Sequence, residues 1–135
     1  MPSAPQFLTA KIVIRCASLD ASRHFYAGLL RLSIVEQWKE AEGRGCVMAL
    51  GDPVSGALLE VHEMAAQDKR FDPAFQRPVA NDKIDLQVRT EDLDAWVDAL
   101  EGHWPFEGPE DLPWGQRWIK LRDPDGFLIA ICENV

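Results

Sequence analysis

The sequence predicts an α+β fold built from two consecutive βαβββ modules, and three observations carry that prediction. First, the chain repeats itself: Asp52-Pro53-Val54-Ser55-Gly56-Ala57-Leu58-Leu59-Glu60-Val61-His62-Glu63 is echoed by Asp123-Pro124-Asp125-Gly126-Phe127-Leu128-Ile129-Ala130-Ile131-Cys132-Glu133. Each copy is a polar turn feeding a short apolar strand that ends in glutamate. Second, each half opens on a strand that runs straight into a helix, over Ile12–Ala21 and again over Leu86–Ala95. Third, Gly and Pro cut the rest of each half into short strand-length pieces. Matching the halves pairs Lys11 with Asp85 and Glu60 with Ala130, so they differ where chemistry would sit.

The elements follow in order. Residues 10–17 alternate Lys11, Val13 and Arg15 against Ile12, Ile14 and Cys16, the period of a half-buried strand. Residues 19–31 switch to helical spacing, with Ser18 as N-cap and Leu19, Phe25, Tyr26, Leu29 and Leu30 as the apolar stripe. Gly43, Gly45, Gly51 and the Asp52–Gly56 turn divide residues 33–63 into three short antiparallel strands, completing a first module over 8–63. Residues 64–81 show no sustained periodicity; a connection of that length is a linker, a functional loop, or both.

The second module covers 82–135. Ile84, Leu86, Val88 and Thr90 make one face of its first strand, and Asp85, Gln87 and Arg89 the other. Asp92–Glu101 forms a helix carrying Leu93, Trp96, Val97 and Leu100, and residues 102–114 hold one short edge strand. Gln116–Leu121 and Phe127–Cys132 then pair as a hairpin across Asp123-Pro124-Asp125-Gly126, because Asp and Gly tolerate positive φ.

Composition narrows the function classes. A chain of 135 residues with 47% apolar and 27% charged residues suits one domain, 1–135, whose modules share a core. No run approaches membrane-span length, and Met1-Pro2-Ser3-Ala4-Pro5-Gln6 lacks the basic and apolar regions of a secretory signal. Cys16, Cys46 and Cys132 are odd in number and lack ligand spacing, which fits reduced thiols in a cytoplasm. A net charge of −8 argues against nucleic-acid binding and favours solubility.

The paired modules, Phe25-Tyr26 in the first helix and the Asp-Pro-Asp-Gly hairpin together resemble the vicinal oxygen chelate superfamily of glyoxalases, extradiol dioxygenases and bleomycin-resistance proteins. Pro113-Trp114-Gly115-Gln116-Arg117, leading into Leu121-Arg122-Asp123-Pro124-Asp125-Gly126, is similar to the bleomycin-resistance, antibiotic-binding branch. The resemblance implies a cup-shaped mixed sheet with helices on its convex face, and a homodimer with pockets between protomers. Strand alternation then turns Lys11, Val13, Arg15, Leu58, Glu60, His62, Asp85, Gln87, Arg89, Trp118, Lys120, Leu128, Ala130 and Cys132 toward the cup.

Metal-dependent members of that superfamily place one ligand on the first and last strand of each module. Those positions here are Lys11, Glu60, Asp85 and Ala130. Glu60 matches and Asp85 has lone pairs, but an ammonium and a methyl group coordinate nothing. Metal: none, and cofactor: none, are therefore the expectations. Lys11 would pair with Glu60 or Asp85 on the cup floor, offsetting the cost of burying a carboxylate. Arg15 and Arg89 are symmetry mates that either bind acidic ligand groups or neutralise those carboxylates. His62 is a wall or strand-end residue, His24 a helix-surface one and His103 a loop residue. Trp96 should be core and Trp118 should offer a stacking face; Trp104 and Trp114 flank the Pro-rich segment as a rim, with dimer interface and structural plug equally open for Trp114, and the facing of Trp38 is undetermined.

The favoured reading is a metal-free small-molecule binding protein that sequesters an aromatic or peptide-like compound, an antibiotic among the candidates. Its ligand-binding residues would be Lys11, Arg15, Glu60, His62, Asp85, Arg89, Trp114 and Trp118, with no catalytic residue assigned and no nucleic-acid or membrane partner. Two readings stay open beside it. One is a lyase, isomerase or dioxygenase-type enzyme, using a metal held by Glu60, His62 and Asp85 or using Lys11 or Asp85 as acid/base. The other is an interaction module with a vestigial pocket.

Overall fold

Strands form where the period-2 alternation lies, and both helices begin at a capping side chain. The structure is a computed structural model and describes residues 4–52 and 56–135. The first half contains β1 (Lys11–Arg15), α1 (Leu19–Arg23) running on into a π-helical segment (His24–Leu29), β2 (Ser33–Glu40), β3 (Gly43–Leu50) and β4 (Ala57–Met64). The second contains β5 (Asp85–Arg89), α2 (Leu93–Leu100), β6 (Glu107–Leu112), β7 (Gln116–Arg122) and β8 (Leu128–Asn134). The expected mixed sheet is realised as two four-stranded sheets, ordered β1-β4-β3-β2 and β5-β8-β7-β6. In each, the first strand runs parallel to the last while the others pair antiparallel. This is the βαβββ arrangement twice. Of the expected Asp52–Gly56 turn, Gly56 N–H donates to Asp52 O at 2.7 Å, and residues 53–55 lie outside the described residues.

The repeated terminal glutamate has a local explanation. Glu63 Oε2 accepts from the Leu19 N–H at 2.7 Å, and Glu133 Oε1 accepts from the Leu93 N–H at 3.3 Å. Each therefore reaches from the end of its last strand to an orphan donor at the start of its own module's helix. Arg44 holds Glu63 and Arg117 holds Glu133 in the same way, at 3.2 and 3.3 Å. Burial pushes the Glu63 carboxyl up, but the bonds from Arg44 and the Leu19 N–H outweigh it and leave the group below its ordinary value. Ser18 Oγ and Asp92 Oδ1 complete the caps by accepting from Ala21 N–H and Ala95 N–H.

The first helix departs from the simple pattern. After one α-turn it widens, with Leu30 N–H donating to Phe25 O at 3.0 Å, and Phe25 and Tyr26 are both fully buried. These rings join Leu19, Met48, Leu59 and Val61 to Leu93, Leu100, Ile119, Ile129 and Ile131 in one core shared by both modules. The Asp123–Gly126 turn is the fastener: Tyr26 Oη donates to Asp123 Oδ2 at 2.7 Å, and Ala17 N–H donates to Asp125 Oδ1 at 2.9 Å. Asp123 also accepts from the backbone of Asp125 and Phe127. Burial still pushes both carboxyls above their ordinary values.

Two expectations need correcting. Trp104 does not form a rim; its ring packs on Phe25 at 4.9 Å and its Nε1–H donates to Arg122 O at 2.8 Å. Ile12, assigned to the covered face of β1, is 40% exposed, because β1 is an edge strand whose one neighbour among the described strands of its sheet is β4. The 64–81 connection has order of its own. Asp68 clamps Arg70 at 2.9 Å, Asp72 caps a 3-10 turn (Pro73–Gln76), and Val79 N–H donates to Asp125 O at 2.8 Å.

Candidate functional site

Cross-strand register shows which side chains share the helix-free face of each sheet. In the first sheet, Trp38, Gly45, His62 and Arg15 form one row, and Glu36, Val47, Glu60 and Val13 the next. In the second sheet, Glu110, Trp118, Cys132 and Arg89 form one row, and Glu107, Lys120, Ala130 and Gln87 the next. The partly covered floor of the first sheet is an ion pair. Lys11 Nζ lies 2.6 Å from Glu60 Oε1, with the two side chains 45% and 12% exposed. Lys11 thus pairs with Glu60 and not with Asp85, which is exposed and accepts from Gln87 Nε2 at 3.1 Å.

The four metal positions of the superfamily do not supply a donor set within one chain. Lys11 places an ammonium on the one matching carboxylate, and Ala130 is a fully buried methyl group. Among the described residues, no three His, Cys, Asp or Glu side chains are grouped to hold a metal ion. Glu60, His62 and Asp85 are therefore not brought together as a ligand triad within one chain. His62 instead meets Trp38 edge-on, at 5.9 Å between ring centroids.

Aromatic surface concentrates on the second sheet. Trp118 and Trp114 pack edge to face at 6.0 Å, and Trp114 is 63% exposed. Lys120 Nζ stands 4.9 Å from the centroid of the Trp118 ring, a cation–π contact, while Trp118 Nε1–H donates to Glu110 Oε2 at 3.2 Å. A ligand ring can meet Trp114 directly; on Trp118 it replaces the Lys120 ammonium on that face. The guanidinium groups of Arg15 and Arg89 are exposed and make no ion pair among the described residues, so the neutralising role has no support within one chain.

Sequence reasoning missed the Trp38 shelf. The ring lies so close over Gly45 that a Cβ there would sit 2.5 Å from Trp38 Cζ2 and 2.7 Å from Val61 O. Gly45 was the available signal, since a glycine inside a strand marks close approach. A register shift between Ile34 and Glu36 hides which way Trp38 points when the strand is counted from its start. The three cysteines are free and buried, and burial disfavours the thiolate form of each. Burial pushes the Cys16 thiol up to about 12, and burial with the Asp85 charge raises Cys132.

With this geometry in place, the relationships are clear. The Glyoxalase/Bleomycin resistance protein/Dioxygenase superfamily profile matches residues 9–131, and the chain belongs to that superfamily. Among proteins of curated function, none matches the sequence. Solved structures with the same fold include TnmS3, an antibiotic binding protein from Streptomyces sp. CB03234, at 19% identity and TM-score 0.72, covering 98% of this chain and 100% of that one. A superfamily member from Sphaerobacter thermophilus matches at 20% identity and TM-score 0.72, covering 96% and 98% of the two chains. The trypanothione-dependent glyoxalase I of Leishmania major matches at 19% identity and TM-score 0.67, covering 96% and 87%. The fold thus hosts both binding proteins and enzymes, and the site must separate them.

Proposed function

We propose that this chain is a metal-free, homodimeric, cytoplasmic protein that sequesters an aromatic or peptide-like small molecule of the antibiotic kind. The observation that carries the reading is the Lys11–Glu60 ion pair at 2.6 Å, together with the buried methyl group of Ala130 at the last-strand position of the second module, where the superfamily's metal-dependent members place a donor. A floor already neutralised by an ammonium favours organic ligands over a divalent cation. Trp114, Trp118 and the Trp38 shelf supply flat apolar surface, while Arg15, Arg89 and Lys120 supply charge for acidic groups. His62 and Asp85 contribute polar wall contacts. A second copy, bringing its second sheet over the first, encloses these open faces. The naming of TnmS3 as an antibiotic binding protein supports the same class of ligand. The buried, free thiols are consistent with a reducing compartment.

Titration of tryptophan fluorescence with bleomycin-type, phenazine-type and quinone-type compounds tests this. Saturable quenching by one class is expected, weakened up to about tenfold in Trp118→Leu, as loss of one aromatic contact predicts. No quenching by any class, or turnover of a bound compound that Lys11→Met abolishes, contradicts it.

A further inference from the structure

The two modules differ at the junction where they meet. Strand register identifies the repeat mates: Leu58 lies beside Lys11 and Leu128 beside Asp85, each pair the first of its own parallel ladder. Ala57 is therefore the mate of Phe127. Phe127 is 8% exposed and its ring joins the shared core. Ala57 is exposed, and it lines a hollow of about 500 Å³ together with Ile12 on β1, Leu86 on β5, Ile129 on β8 and Trp96 on α2. Leu86 and Ile129 belong to the core layer, so this space opens on the helix side of the sheets. Where the second module puts a phenyl ring, the first has a methyl group and a space. Apolar walls facing such a gap forfeit the contacts that a ring would make. The other half of the fold thus shows what fits there: an uncharged aromatic side chain.

The chain carries one such side chain in the open. Phe7 is 100% exposed and Leu8 is 99% exposed, more than any other large apolar residue described. Both stand in residues 4–10, a segment that belongs to no strand or helix and runs directly into β1. Within its own chain the Phe7 ring plugs nothing. Phe7 lies five residues before Ile12, a span of up to about 17 Å when extended, enough to leave one copy and enter another. Residues 1–10 carry no charged side chain, and no acidic residue is among those described around the hollow. Two chains of net charge −8 can therefore exchange this segment without bringing like charges together. We infer that Phe7 of a second copy fills the hollow beside Ala57, and that the exchange is reciprocal about a two-fold axis. It presupposes the homodimer proposed above and adds the residue that each protomer contributes to the other. Two rings bury about 150–250 Å² each, and as much wall, roughly 600–1,000 Å² together. A stable interface needs about 1,200–2,000 Å², so the exchanged segments secure a dimer whose remaining contact comes from the open faces.

Sedimentation velocity over a dilution series tests this on the intact protein and three variants, each checked for wild-type far-UV circular dichroism. Phe7→Ser removes the plug and should weaken dimerisation about tenfold or more, the worth of burying one aromatic side chain. Ala57→Phe fills the hollow with the chain's own ring, as Phe127 does in the other module, and should weaken dimerisation to a similar extent. The double variant should dimerise no more weakly than either single one, because both changes abolish the same contact. A mixed dimer of isotope-labelled and unlabelled chains locates the ring directly. Nuclear Overhauser effects are expected between the Phe7 ring of one copy and the Ala57 and Ile12 methyl groups of the other. A dimer indifferent to Phe7→Ser, additive losses in the double variant, or ring-to-methyl effects confined to one chain overturn the exchange and leave the homodimer standing. A wild-type protein that is monomeric at every concentration overturns both.

Discussion

At the scale of single residues, two buried carboxylates with different partners carry opposite lessons. Glu60 is nearly covered and Lys11 is its cation. Because Lys11 is 45% exposed, water screens the pair and its worth is modest. Lys11→Met should cost about 1 kcal/mol in denaturant unfolding, and adding Glu60→Gln should recover part of that by removing the stranded charge. Asp123 has a hydroxyl partner and, among the described residues, no cation, and burial raises its carboxyl above the ordinary 3.8. The sign follows from proton linkage: its favourable contribution is full below the ordinary value and is lost as pH rises through the raised folded value. Tyr26→Phe removes the bond that best tolerates the ionised form. Its destabilisation should be about 1–3 kcal/mol at neutral pH and smaller near pH 4, as urea melts at the two pH values would show.

At the scale of elements, the glutamates that end β4 and β8 act as helix-start acceptors. Glu63 lies below its ordinary 4.5, so its contribution is present above that value and lost as pH falls through the folded one. Glu63→Gln should cost about 1 kcal/mol at pH 7 and little under acid conditions, measured by thermal melts across that range. This group and Asp123 titrate with opposite effect, so the double variant separates them. Strand positions and both helix starts were legible in the sequence because alternation, caps and Asp-Gly turns are local signals. The Asp-Pro-Asp-Gly turn was legible as a turn but not as a fastener, since Tyr26 and Asp123 stand 97 positions apart. The widening of α1 was hidden too: Phe25 and Tyr26 lie in the apolar stripe of either helix type, and their joint burial is set by the second module.

At the scale of the molecule, the repeat made two modules legible, and strand parity placed Lys11 and Glu60 on one face. The Trp38 shelf was not legible, because a one-residue register shift in β2 reverses any count through it. Nor was the junction hollow, which depends on how the modules sit together. The halves share a common scaffold of caps and ladders but differ at the matched first- and last-strand positions, Lys11 against Asp85 and Glu60 against Ala130. That difference underlies the assignment to sequestration. It is tested most directly by calorimetric titration of chelator-treated protein with the compound that best quenches its fluorescence. The account predicts undiminished stoichiometric binding that added zinc, nickel, manganese or iron leaves unchanged; binding that appears only after one of those ions is restored would contradict it.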